Sequence, residues 1–165
     1  MPEDKYHPWS TAIDAREEAR RRGDRRIGTE HLLVAVLSDP VVADALGSDV
    51  ESARAALAAL DREALAAVGL ASVPEVPDLP AQEPGQRAKR PTFRDVLHDR
   101  LPTTPTAKAV LREGRKDMKG GGTGSVGPRH IVEALLELRS PDPAAELRNR
   151  LGIEPGPARE RLSAA

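Results

Sequence analysis

One short pattern occurs twice in the chain and limits the fold more than any other feature. Ile27-Gly28-Thr29-Glu30-His31-Leu32-Leu33 returns as Val126-Gly127-Pro128-Arg129-His130-Ile131-Val132. Further matches follow in the same order: Leu46-Gly47 with Leu151-Gly152, and Ala53-Arg54…Leu57 with Ala158-Arg159…Leu162. A short helical unit with a single apolar stripe cannot bury itself alone. A duplicated series of such units therefore predicts two copies packed as a pseudo-symmetric pair.

The periodicity around these matches is helical. Val50, Ala53, Leu57, Leu60 and Ala64 recur at spacings of three and four, the stripe of an amphipathic helix over 49–68, stopped by Gly69. Upstream, an Ala- and Arg-rich helix is expected from Ser10 to Arg22, closed by Gly23. Thr29 is the expected N-cap of a helix carrying Leu32, Leu33, Val36 and Leu37, and a shorter helix runs from Val41 to Leu46. In the second copy, Thr104-Pro105 pairs a capping threonine with proline at the first helical position, opening a helix from Ala107 to Met118. A glycine loop, Lys119 to Ser125, precedes helices expected over 128–138 and 142–151 and one beginning within 158–162. Strand-like alternation is absent. The expected fold class is all-α, as two pseudo-symmetric four-helix repeats at 1–70 and 101–165. Pro74, Pro77, Pro80, Pro84 and Pro91 mark 71–100 as a Pro-rich linker with room for one short helix.

Composition narrows the function. Aromatic residues are 2% of the 165, so a base-stacking surface has almost nothing to be built from. Cysteine is absent, which removes thiolate nucleophiles, disulfides and Cys-based zinc sites. The 25 Lys+Arg and 26 Asp+Glu nearly cancel, so no global field draws the chain to nucleic acid or an anionic membrane. No apolar run approaches the roughly 20 residues that span a bilayer, and MPEDKYHPWS lacks a signal peptide's apolar stretch. The expected setting is cytoplasmic. No cofactor or metal is expected. The match of Gly122-Thr123-Gly124-Ser125-Val126-Gly127 to a dinucleotide fingerprint lacks the strand such a loop must follow.

Arg16-Glu17-Glu18-Ala19-Arg20, followed after a gap by Ile27-Gly28-Thr29-Glu30-His31-Leu32-Leu33, closely resembles the Clp N-terminal domain repeat, the module in front of the ATPase rings of Clp unfoldases. Leu101-Pro102-Thr103-Thr104-Pro105-Thr106-Ala107-Lys108 resembles the start of that family's second repeat. The resemblance covers about 10–70 and 100–163. The second copy departs from it at Pro128-Arg129, where the family has Thr-Glu. No Gly-x-x-x-x-Gly-Lys-Ser/Thr loop occurs, so the resemblance implies a stand-alone, non-catalytic N-domain rather than an unfoldase. Its implied work is accessory or decoy recognition in bacterial protein quality control. The implied partners are a Clp ATPase or adaptor proteins, degron peptides (phosphoarginine-tagged ones among them), and Clp-targeting cyclic-peptide antibiotics.

The resemblance also implies site residues. Glu30, with Thr29 beside it, matches a glutamate that binds phosphoarginine in related domains. A carboxylate can take a guanidinium bidentately, while free N–H groups of a helix's first turn favour a phosphate. The plainer reading of Glu30 is an acid that complements the helix dipole. Lys108 matches a lysine lining the cyclic-peptide pocket, but Thr103 stands where that pocket has an aromatic ring. The plainer reading of Lys108 is an exposed helix lysine. His31 and His130 hold equivalent positions and are expected to pack and hydrogen-bond at helix starts rather than bind metal. The alternative function is regulatory nucleic-acid binding through the Arg20–Arg26 run, against its reading as a solvated helix end.

Overall fold

The computed structural model describes residues 8–70, 101–116 and 128–164. The Pro-rich segment, the place of the short helix it has room for, the glycine loop and the fingerprint match at 122–127 lie outside the described residues. Among those described, the chain is all-α. Its helices are α1 (Pro8–Arg22), α2 (Thr29–Val36), α3 (Pro40–Leu46), α4 (Val50–Ala67), α5 (Pro105–Lys116), α6 (Pro128–Glu137), α7 (Pro143–Arg150) and α8 (Pro155–Ala164). One isolated parallel bridge joins Ile27 to Thr103. None of these helices is long and apolar enough to cross a membrane.

Capping explains where the helices begin and end. Asp39 and Asp142 each precede a proline at the first helical position, and each accepts backbone N–H bonds that the helix start leaves open. The Asp39 carboxylate takes Val41 and Val42 at 2.9 and 3.2 Å, and Asp142 takes Ala144 at 2.9 Å. At the far ends, Gly47 (φ +64°) and Gly152 (φ +68°) reverse the chain in the left-handed region, where a Cβ is disfavoured. Helix α8 starts three residues earlier than its apolar pattern suggests, because Pro155 fits a first helical turn that periodicity does not detect.

The start of α2 corrects one expectation. Thr29 is the first helical residue rather than the N-cap; Gly28 holds that place, with extended backbone at φ −99°, ψ 178°. The Thr29 hydroxyl is drawn away from its own helix to donate to Asp142 Oδ1 at 2.7 Å. His31 supplies the compensating bond, its Nδ1 accepting the Gly28 N–H at 3.0 Å.

Described residues up to Leu57 and from Leu101 onward belong to one compact unit. Helix α2 is buried at every position except Glu30, as expected of a helix apolar on all sides. It packs against α1, α5, α6 and α7, while α6 also packs against α3, α5, α7 and α8. Leu32, Leu33 and Val36 from α2 and Ile131, Val132 and Leu135 from α6 are all almost fully buried in the core. Each such side chain stabilises the fold by about 1.5–3 kcal/mol. The flanking helices present small residues inward: Ala15 and Ala19 from α1, Ala107 and Gly114 from α5. A Cβ on Gly114 would stand 2.9 Å from Ile131 Cγ1, so α5 and α6 approach too closely for a larger residue there.

Charged groups secure the edges. Glu18 on α1, 5% exposed, accepts from Arg21 Nη2 at 2.8 Å and from Arg54 Nη2 on α4 at 3.0 Å. Arg148 Nη1 donates to the carbonyls of Leu136 (2.7 Å) and Leu138 (3.1 Å), closing the C-terminal end of α6. The second unit is described only at 58–70, where α4 continues to Ala67 and Gly69 (φ +81°) ends it beside exposed Val68 and Leu70.

Candidate binding site at the start of helix α2

The segment Asp24–Gly28 leads from α1 into α2 and is held from two sides. Ile27 donates its N–H to Pro102 (3.0 Å) and its carbonyl accepts from Thr104 (2.9 Å), so the segment lies beside the start of α5. The Thr29–Asp142 bond brings the start of α7 to the same place. A cavity of about 380 Å3 opens there, lined by Asp24, Arg25, Arg26, Gly28, Thr29, Glu30, Thr104, Thr106, Asp142 and Pro143. That volume falls within the roughly 300–1,000 Å3 of small-molecule sites.

Two of its three carboxylates are occupied. Asp24 Oδ2 accepts from Arg22 Nε (2.9 Å) and meets His31 Nε2 (2.8 Å). Partial burial of Asp24 opposes its charge, but the bonds from Arg22 and then His31 outweigh burial and hold its carboxyl below the ordinary aspartate value. Asp142 Oδ1 takes both the Thr29 hydroxyl and the Ala144 N–H, at the N-terminal end of α7, where negative charge is favoured.

Glu30 differs from both. Its side chain is 17% exposed and folds back over Gly28, where a Cβ would overlap the carboxylate. Only glycine leaves that space. Oε1 lies 3.3 Å from His31 Nδ1, but that nitrogen's single lone pair already receives the Gly28 N–H. As that acceptor, Nδ1 has no proton to give Glu30, and Nε2 faces Asp24. Oε2 is buried without a hydrogen-bond partner. A carboxylate oxygen in that state lacks the compensation a donor would supply, which favours an incoming N–H group.

No family model and no curated protein matches the chain. The chemistry of the cavity therefore rests on its own residues.

Of the residues singled out from sequence, Glu30 and Thr29 come together at this cavity, with the Thr29 hydroxyl committed to Asp142. Lys108 is exposed on α5 and Thr103 is half-buried in the bridge to Ile27; neither lines the cavity, although Thr104 and Thr106 between them do. The basic run does not form a row of free cations, since Arg21 pairs with Glu18 and Arg22 with Asp24. Arg25 and Arg26 are exposed and are among the residues that line the cavity. Sequence reading missed Asp142 as a partner of Thr29, and also the place of Thr104 and Thr106. A bond between residues so far apart in the chain leaves no local signal. Among the described residues, no group of three or more His, Asp or Glu is placed to hold a metal ion.

Proposed function

We propose that the chain is a recognition module of the Clp N-terminal domain type, built of two four-helix repeats and acting by binding rather than catalysis. Several paired features support the two-repeat reading. The Asp-Pro caps at 39–40 and 142–143 match, as do the left-handed glycines 47 and 152. Ala53 and Leu57 are buried as Ala158 and Leu162 are. The packing of α1 on α2 is repeated by α5 on α6, and that of α2 on α7 by α6 on α3.

The observation that carries the binding role is the unpartnered carboxylate oxygen of Glu30 at the wall of the cavity. A guanidinium can meet both carboxylate oxygens at once, a geometry that a single ammonium cannot reproduce. The function proposed is capture of arginine-type degrons, phosphoarginine among them, as an accessory or decoy in cytoplasmic protein quality control. A Clp ATPase or an adaptor is the natural partner of such a module. The Lys108 and Thr103 region is proposed as the place where a cyclic-peptide antibiotic would sit. Calorimetric titration of phosphoarginine into the full chain tests the degron reading, with Glu30→Ala as control. Binding that is lost in the variant supports it; no heat at millimolar ligand, or binding untouched by the substitution, rejects it.

A further inference from the structure

The acceptor for the Gly28 N–H decides what the Glu30 carboxylate can do. Gly28 is the N-cap of α2, and the Glu30 side chain folds back over it. A carboxylate at a helix start ordinarily accepts one of the open N–H groups there. Here His31 takes the Gly28 donor instead, its Nδ1 accepting at 3.0 Å. Glu30 Oε2 is then buried without a partner, and Oε1, 3.3 Å from Nδ1, receives no proton from a nitrogen that is itself an acceptor. The His31 side chain is 1% exposed, and its Nε2 meets Asp24 Oδ2 at 2.8 Å. Around it, Arg16 and Glu18 of α1, Lys108 of α5, His130 of α6, and Asp142 and Arg148 of α7 make no bond to the ring. The charged groups within reach of it are Asp24, which also holds Arg22, and Glu30. An imidazolium carries a proton on both nitrogens, so a protonated ring and the Gly28 bond exclude one another. Protonation turns Nδ1 from an acceptor into a donor, with Glu30 Oε1 beside it.

We propose that His31 is the positioning residue of this site and makes it sensitive to pH: the unprotonated ring holds Gly28 and leaves Glu30 open to an incoming guanidinium, whereas the protonated ring bonds Glu30 itself and withholds it from cations. The inference rests on the reading of Glu30 as the group that meets the ligand, and adds the residue that governs it. The effect reaches the ligand through one carboxylate. An oxygen that accepts from His31 is lost to a bidentate guanidinium, and a cation buried beside the carboxylate cancels its charge. Histidine suits the place because its ordinary titration falls between about pH 5 and 8, where guanidinium groups and ordinary carboxylates keep their charge. Ligand capture is therefore strongest above that range and weakens as pH falls through it. Glutamine at the same position can accept the Gly28 N–H through its side-chain carbonyl, as in a capping box, but cannot titrate.

The test follows two readouts in the full chain from about pH 8 down to about pH 5.5, the range in which histidine titrates. One is the Gly28 amide by proton–nitrogen NMR with no ligand added; the other is affinity for N-acetylargininamide by calorimetry. That probe carries a guanidinium and no group that titrates in the window. As pH falls, the Gly28 amide proton should move upfield as its bond to Nδ1 is lost, and affinity should drop by about tenfold or more over the same interval. In His31→Gln both profiles should be flat, with the probe still bound at the acid end. Asp24→Asn keeps the histidine but removes one of the two acids at the ring, and should carry both transitions to lower pH together; it serves also if the buried substitution does not fold. A Gly28 amide that does not respond, a transition that persists in His31→Gln, or transitions unmoved by Asp24→Asn would overturn the role of His31. Affinity lost in Glu30→Ala would then still uphold the reading of Glu30. A Gly28 transition that follows His31, with neither N-acetylargininamide nor phosphoarginine bound at the alkaline end, would reject the reading of Glu30 and with it any control of a ligand by His31.

Discussion

Gly114 offers a direct test of the packing that sets the site. In an open helix, Gly→Ala stabilises by roughly 0.5–1 kcal/mol because alanine loses less backbone entropy. Gly114 sits in the last turn of α5 and is buried against α6. An added Cβ would meet Ile131 Cγ1 at 2.9 Å, whereas carbon atoms pack best near 3.5–4.0 Å. Cγ1 lies next to the branch point of a side chain with no exposed surface, so it cannot swing aside as a flexible tip would. Overpacking of this kind costs about 1–3 kcal/mol, which exceeds the helix gain. The net expectation for Gly114→Ala is destabilisation by about 1–2 kcal/mol, or a fall in Tm of roughly 3–8 °C for a unit of this size. Thermal melting by circular dichroism reads it. Adding Ile131→Ala, which removes Cγ1, should relieve the contact, so that the double variant is more stable than the sum of the single effects. A Tm that rises in Gly114→Ala, or strict additivity in the double variant, would refute the close approach of α5 and α6.

Two further expectations follow from charge and from glycine. Burial works against the charge of Glu18, but the bonds from Arg21 and Arg54 prevail and hold its carboxyl below the ordinary value of 4.5. The stability it contributes is therefore full above that value and lost as pH falls through the lower folded one. Arg54→Met should cost about 1–3 kcal/mol at pH 7 and progressively less below pH 4, read by urea unfolding at the two pH values; an equal cost at both would assign the effect to packing alone. At Gly28 the backbone is extended and accepts any residue, while a Cβ would displace the Glu30 carboxylate, the movable end of a flexible chain. Gly28→Ala should leave Tm within about 2 °C and weaken phosphoarginine by about tenfold in calorimetry. Unaltered affinity would detach Glu30 from the ligand.

Much of the helical order was legible because it depends on short-range chemistry. Thr104-Pro105 announces a helix start, and Gly23, Gly47 and Gly69 announce stops, through bonds and dihedral angles spanning only a few residues. Where tertiary contacts compete with local ones, sequence reading failed. Thr29 has the chemistry of an N-cap, yet its hydroxyl finds Asp142, and a histidine three residues into the turn takes over at Gly28. By propensity alone Gly114 is a weak point within a helix; its reason is the side chain of Ile131 on another helix. Arg25 and Arg26 read as members of one basic run with Arg21 and Arg22. Only the placement of Glu18 and Asp24 separates the paired arginines from those that line the cavity.

The duplicated heptapeptides share the residues that build the core and differ in those that could meet a ligand. Leu32 and Leu33 match Ile131 and Val132, and all four are buried. Thr29-Glu30, however, is matched by Pro128-Arg129. Proline has no hydroxyl, so the long-range bond from Thr29 to Asp142 has no counterpart from Pro128 to Asp39; the Asp39 carboxylate accepts from Val41 and Val42 of its own helix. Arginine at 129 reverses the charge that Glu30 supplies. A site of the same kind at the second heptapeptide would therefore lack both its anchoring bond and its carboxylate. The expected stoichiometry is one phosphoarginine per chain. A calorimetric titration giving two equivalent sites would show that binding does not depend on the Glu30 carboxylate, and the charge argument for the cavity would fall with it.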